Sequence, residues 1–203
     1  GGGGGLLFGL VGGLSGFEKV EKSDFFRLAI CGLTGVAINQ LCFFNGLSIT
    51  SPVNASLIMT INPIFVLIAS AAILGSSITN RKLLGIALGG IGAAILLLNT
   101  PESTTANGPS LKGDILILIN ALSYGIYLVI VKPLMSKYRP VTVISWVFLF
   151  GAIFAVPFGL DEVFIISWAD FSSNDWQSVL YVVIGTTFLA YLLNIYALGS
   201  VEP

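Results

Sequence analysis

The sequence predicts an all-α integral membrane protein, a multi-helix bundle assembled from two inverted repeats. Three observations carry this. Residues are 55% hydrophobic and only 9% charged, against roughly 45–50% and 25% in soluble domains. Uncharged apolar runs of about twenty residues succeed one another, each long enough at 1.5 Å per residue to cross a hydrocarbon core of roughly 30 Å. The basic residues, finally, alternate from loop to loop in step with those runs.

Taken in order, residues 1–16 are apolar and glycine-rich and read as the tail of a helix. They have no charged leading segment, so they do not read as a signal peptide. Residues 17–27 (FEKVEKSDFFR) form a charged loop, and residues 28–47 a span with Asn39 and Gln40 at its centre. An uncharged turn at 48–52 leaves room only for an antiparallel hairpin into the next span, 53–75.

That second span carries Asn62-Pro63 at its middle. Proline removes one backbone hydrogen bond and frees a carbonyl a turn earlier, which is tolerated in a membrane only beside protein or a wet cavity. We expect a broken helix whose kink faces either a substrate or a packed neighbour. Asn80-Arg81-Lys82 opens the span at 83–99, where Gly85, Gly89 and Ala93 recur at spacing four as a small-residue packing face.

Residues 100–113 are rich in Pro, Gly, Ser and Thr and read as a surface linker between two halves, 1–99 and 114–203. The second half contains spans at 114–131, 141–160 and 179–198, with a basic loop at Lys137, Tyr138 and Arg139 between the first two. An acidic loop at 161–177 precedes the last span, with Trp168 and Trp176 as interfacial anchors. Six complete spans are therefore expected.

Lys19, Lys22, Arg27, Arg81, Lys82, Lys132, Lys137 and Arg139 fall on one side of these spans, and Lys112 on the other. By the positive-inside rule the first group marks the cytoplasm. Lys132, at a helix end, is explained by snorkelling. Laying residues 40–52 (QLCFFNGLSITSP) over 191–203 (YLLNIYALGSVEP) matches Leu41 with Leu192, Leu47 with Leu198 and Pro52 with Pro203. The first stretch runs outward and the second inward, the signature of an inverted repeat. A helix should come after Pro203 as one comes after Pro52, so the repeat predicts about ten helices in the complete protein.

The residues also limit the chemistry. There is no histidine, which removes the usual general base and the nucleophile pairs that depend on it. Cys31 and Cys42 stand on one helix about 16 Å apart, too far for a disulfide. Gly89-Gly90-Ile91-Gly92 lies inside a membrane run with no strand before it, so it is no dinucleotide fingerprint. No Asp or Glu sits mid-span to relay protons. Neither catalysis, nor a cofactor or metal, nor a nucleic-acid partner is expected.

What remains is a set of midplane polar residues that must find partners or line a cavity. Asn39 and Gln40, with Thr60 and Asn62, lie in the first two complete spans. Asn120, Ser123 or Tyr124, and Tyr127 form one helical stripe, and Thr187, Tyr191 and Asn194 another. We expect Asn39, Gln40, Asn62, Asn120, Tyr124, Tyr127, Thr187, Tyr191 and Asn194 to converge on a pocket for a small-molecule solute. Phe43, Phe44 and Trp146 would pack against the solute's apolar part. For each residue alone, interhelical hydrogen bonding is the competing explanation.

The run from Arg27 to Asn99 resembles the EamA-type drug/metabolite transporters. The resemblance rests on Asn39 to Leu47 (NQLCFFNGL), the Thr-Ser-Pro turn with Ala-Ser after it, Asn62-Pro63, and a basic residue opening a glycine-rich helix. The stretch from Gly113 to Pro203 is similar to a second EamA unit. Where the family often has a glutamate after Leu74-Gly75, this chain has Ser76. The resemblance implies ten helices, carrier-type transport of small metabolites by alternating access, and a bacterial inner membrane. The lipid bilayer and the solute are the expected partners, and a homodimer is compatible with both. A scaffold or sensor that keeps the fold without transporting is the alternative.

Overall fold

The computed structural model describes residues 18–99, 110–165, 171–190 and 193, and among them every regular element is helical. In chain order these are α1 (Lys22–Gly32), a π-helical segment (Leu33–Ile38), α2 (Asn39–Leu47), α3 (Pro52–Met59), α4 (Asn62–Leu74) and α5 (Asn80–Asn99). Then come α6 (Leu111–Lys137), α7 (Pro140–Ile165), α8 (Ser173–Leu180) and a second π-helical segment (Tyr181–Leu189). Four stretches are long and apolar enough to cross a membrane: Lys22–Leu47, Pro52–Leu74, Leu111–Lys137 and Pro140–Gly159. They coincide with four expected spans. The expected span at 83–99 lies on α5. That at 179–198 begins in α8 and runs through the second π-helical segment, and most of its remainder lies outside the described residues, as do residues 1–16 and most of the linker.

Some boundaries move. Helix α1 starts at Lys22, so it absorbs most of the charged segment expected as a loop, and α7 continues past Gly159 into the acidic stretch. Polar residues at a helix end still face water while extending its backbone hydrogen bonding, so charge alone does not mark where a helix stops.

The chain packs as two compact units, residues 1–37 with 131–203, and residues 38–130. In the first, α1 crosses α7 at very close range. A Cβ on Gly32 would stand 2.7 Å from the Gly151 nitrogen and from the Phe150 Cβ, and one on Gly151 would collide with Val36. Leu28, Cys31, Val36, Val147 and Phe148 are buried around this crossing. Phe25 meets Trp146 edge-on at 4.8 Å, and Phe150 completes the aromatic cluster 6.0 Å from Trp146. Trp146, expected against a solute, thus packs with aromatic rings of its own unit.

At the start of α1 the same unit is tied by charge. Asp24, 5% exposed, accepts from Lys137 Nζ and from the Tyr138 hydroxyl, each at 2.7 Å. Lys137 also pairs with Glu21 at 2.6 Å, and Arg139 donates its backbone N–H to Glu18 at 2.9 Å.

In the second unit, Ser51 caps α3 by accepting the Asn54 N–H at 3.1 Å, with Pro52 opening the helix. Glycines again set the close approaches. Gly46 faces Ile117 and Gly113, Gly113 faces Thr50, and Gly125 faces the backbone of Phe65 and Val66. Thr50 donates its hydroxyl to Asp114 at 2.6 Å. Helix α4 ends at Gly75 in the left-handed conformation, φ 64°, which costs a residue without Cβ little.

The packing face expected on α5 is not found among the described residues. A Cβ added to Gly85, Gly89 or Gly92 would meet nothing within 4 Å. Small-residue spacing permits close helix contact but does not supply a partner, and the close-packed glycines are Gly32, Gly151, Gly46, Gly113 and Gly125 instead.

Candidate functional site

The expected break lies where Asn62-Pro63 put it. Pro63 has no N–H to give the Met59 carbonyl. The chain responds by tightening: Thr60 N–H bonds Leu57 O and Ile61 N–H bonds Ile58 O, both at 3.0 Å. The Thr60 hydroxyl turns back onto Leu57 O at 2.6 Å. Helix α4 restarts at Asn62, with Pro63 in its first turn, a position where a missing N–H costs nothing.

Beside the break lies a cavity of 560 Å³. Thr60, Asn62 and Pro63 line it at the break, and Val66, Leu67 and Ser70 continue along α4. Lys82, Gly85, Ile86 and Gly89 form the α5 wall, and Leu128 of α6 contributes the remaining side chain. At Gly85 and Gly89 the α5 wall is bare backbone, where an added Cβ would meet nothing within 4 Å. At one end the Ser70 and Ser76 hydroxyls share a hydrogen bond at 2.8 Å. Ser76 thus helps close the end of α4.

The Asn62 Oδ1 is buried and has no hydrogen-bond partner among the described residues. An unpaired buried acceptor costs about 1–3 kcal/mol. The cavity is otherwise mainly apolar, with a few polar groups at chosen points, which is the usual make-up of a small-molecule site.

The other expected site residues are distributed over the chain. Asn120, 2% exposed, donates its Nδ2 to the Asn39 carbonyl at 2.8 Å, so one of its two amide hydrogens is committed to the protein. Ser123 donates to the Asn120 carbonyl at 2.8 Å. Tyr124 and Tyr127 stack at 5.8 Å between ring centres, Tyr127 being buried. Gln40 is half-buried beside Asn39 in the first turn of α2. Of the expected residues whose side chains are described, Asn62 is the one that lines this cavity. Thr187 lies in the second π-helical segment, while its side chain, Tyr191 and Asn194 lie outside the described residues.

Sequence reasoning misses Ser70, Lys82, Ile86 and Leu128 as lining residues. In the sequence, Lys82 marks only a membrane face by its charge. Gly85 and Gly89 stand out there for packing rather than for the space they leave. Among the described residues no group of three or more His, Cys, Asp or Glu could hold a metal.

Long apolar helices, one of them broken over a cavity, define a multi-pass integral membrane protein of all-α fold. The chain belongs to the EamA-like transporter family, whose model matches it twice, over residues 2–98 and 111–203. Over 178 residues it is 27% identical to the uncharacterized transporter YetK of Bacillus subtilis, covering 88% of this chain and 54% of that protein. It is 26% identical over 197 residues to an uncharacterized transporter of Archaeoglobus fulgidus, covering 97% of this chain and 67% of that one. A protein named probable terminal-alkyne amino-acid exporter, from Streptantibioticus cattleyicolor, is 25% identical over 148 residues, 73% of this chain and 48% of the relative. The chain thus spans about half to two thirds of the length of these relatives. No solved structure matches it.

Proposed function

We infer that the intact protein is a carrier for a small organic solute, working by alternating access between two inverted repeats. The observation that carries this reading is the cavity at the break, where Asn62 keeps a buried acceptor unpaired. An atom held at that cost has a use, and a donor on a transient solute is the simplest one. Val66, Leu67, Ile86 and Leu128 would hold the apolar part of the solute.

The double match of the family model supports a repeat in each half, 1–99 and 114–203. Broken helices lining a midplane site are the usual means by which inverted-repeat carriers bind their cargo. The names of the relatives support transport as the activity, and the amino-acid exporter supports an organic solute. Their sources, bacterial and archaeal, favour the cytoplasmic membrane of a prokaryotic cell.

The test uses the open wall. Gly89 lines the cavity, and a valine there meets no neighbour within 4 Å at its Cβ. In proteoliposomes of the intact protein, exchange of a panel of labelled small metabolites identifies a transported solute. Gly89→Val then abolishes its flux while the melting temperature holds. Flux retained in Gly89→Val excludes this cavity as the route, and a wild type that moves no solute favours a scaffold or sensor.

A further inference from the structure

The cavity beside the break lies wholly within the second compact unit, residues 38–130, and its two ends differ in chemistry. At the break the unpaired group is an acceptor. Asn62 Oδ1 is buried without a partner among the described residues, and the Thr60 hydroxyl beside it has given its hydrogen to Leu57 O.

The other end is set by the way α5 returns. Helix α4 runs from Asn62 to Leu74, residues 75–79 reverse the chain, and α5 passes back to pack against α3, which precedes the break. Lys82, Gly85, Ile86 and Gly89 recur at i, i+3, i+4 and i+7, so one face of α5 lines the cavity. Lys82 opens that face. It therefore stands at the Ser70 end of α4, with Gly89 toward the break. From Asn62 to Ser70 the helix rises about 12 Å, at 1.5 Å per residue.

Among the described lining residues Lys82 alone is charged, and none is acidic. The ion pairs found among the described residues all belong to Lys137, so the Lys82 ammonium is unpaired there. Lys82 is also exposed, which leaves this end open. The Ser70 and Ser76 hydroxyls share one hydrogen between their oxygens, and a second hydroxyl hydrogen is left over. Between the two ends, Val66, Leu67, Ile86 and Leu128 are apolar.

This polarity selects a ligand. A carboxylate at Lys82 gains a charge-assisted hydrogen bond. At the break an ammonium would have no carboxylate to balance it, and burying a charge unpaired is costly. A neutral O–H or N–H meets the Asn62 acceptor without that cost. An α-amino or α-hydroxy acid carries both of its polar groups at one end, so it cannot serve two positions separated by most of α4.

We propose that the cavity binds an elongated organic acid, with its carboxylate on Lys82 and a neutral O–H or N–H at the opposite end of the molecule on Asn62 Oδ1. This rests on the transport reading above and narrows it to one class of solute.

The test uses the intact protein in nanodiscs of zwitterionic lipid, with empty nanodiscs subtracted, and two isomeric probes, 8-hydroxyoctanoate and 2-hydroxyoctanoate. Equilibrium dialysis of the radiolabelled acids should show the terminal isomer bound at least tenfold tighter, with octanoate no tighter than the 2-isomer. Lys82→Gln weakens 8-hydroxyoctanoate at least tenfold, Lys82→Arg restores it, and the methyl ester binds all three proteins alike. Asn62→Leu brings 8-hydroxyoctanoate down to octanoate while octanoate itself stays within twofold, a pattern that a distorted cavity does not give. Equal binding of the isomers, binding of neither, or a Lys82→Gln variant that holds the acid as tightly as the wild type overturns the proposal. Selective binding by a protein that moves neither this acid nor any other labelled metabolite keeps the site and ends the transport reading. Flux of another solute, with neither isomer bound, does the reverse.

Discussion

The Tyr138 hydroxyl donates to Asp24 at 2.7 Å and accepts the Glu21 backbone N–H at 3.1 Å, so one phenol joins the start of α1 to the residue just past α6. Both Asp24 and Tyr138 are buried. Tyr138→Phe keeps the ring and removes both bonds, leaving a buried carboxylate short of a donor. A loss of about 1–3 kcal/mol is expected, read as a lower melting temperature in detergent. No loss would show that Lys137 alone holds Asp24.

Thr50 and Asp114 make a comparable tie within the second unit, at 2.6 Å. Thr50→Val, which keeps the shape and removes the donor, should cost about 1–2 kcal/mol, and Thr50→Ser should restore most of it. Equal stability of the valine and serine variants would exclude the hydroxyl as the cause.

Gly32 and Gly89 should respond to alanine with opposite signs. At Gly32 the new methyl meets the Gly151 nitrogen and Phe150 at 2.7 Å, and overpacking of this kind costs about 1–3 kcal/mol. At Gly89 it meets nothing within 4 Å, and alanine gains about 0.5–1 kcal/mol of helix preference. A thermal-shift comparison of Gly32→Ala with Gly89→Ala checks both signs together.

Asn62→Leu separates stability from use. Removing an unpaired buried acceptor should raise the melting temperature or leave it unchanged. Solute flux should fall at least tenfold. A variant that is both less stable and fully active would show that Asn62 is structural.

At the start of α8, Ser172 and Asp175 form a capping box. The Ser172 hydroxyl and then its backbone N–H hold the Asp175 carboxyl below its ordinary value of 3.8. A depressed value means the ionised form is the one the fold favours. Its stabilising effect is complete above pH 3.8 and fades as the pH falls through the lowered value. The protection factors of the amides at the N-terminus of α8, taken relative to the intrinsic exchange rate at each pH, should therefore fall as the pH drops below 3.8, and in Ser172→Ala they should be low at neutral pH as well.

The helices and the break at Asn62-Pro63 are legible in the sequence because each arises from a local rule: apolar length for one, the missing proline N–H for the other. The π-helical segments are not. An α-helix and a π-helix carry the same apolar residues and differ by one step in the hydrogen-bond ladder, so composition does not separate them. The Asp24–Tyr138 contact is hidden for another reason. Its partners are far apart in the chain, and each alone reads as an ordinary charged or interfacial residue. Asn120 stands out as polar in an apolar run, yet its Nδ2 donates to the Asn39 carbonyl. Polarity says that a partner is needed, not whether that partner is protein or solute.

Gly85 and Gly89 leave bare backbone beside Lys82 and Ile86 in one wall of the cavity, and a Cβ added at either glycine meets nothing within 4 Å. The width of the chamber can thus be graded one carbon at a time without disturbing the fold. On the transport reading, alanine, serine and valine at those two places form a caliper for the size of the solute. On that reading a single codon there would trade one solute for a smaller one.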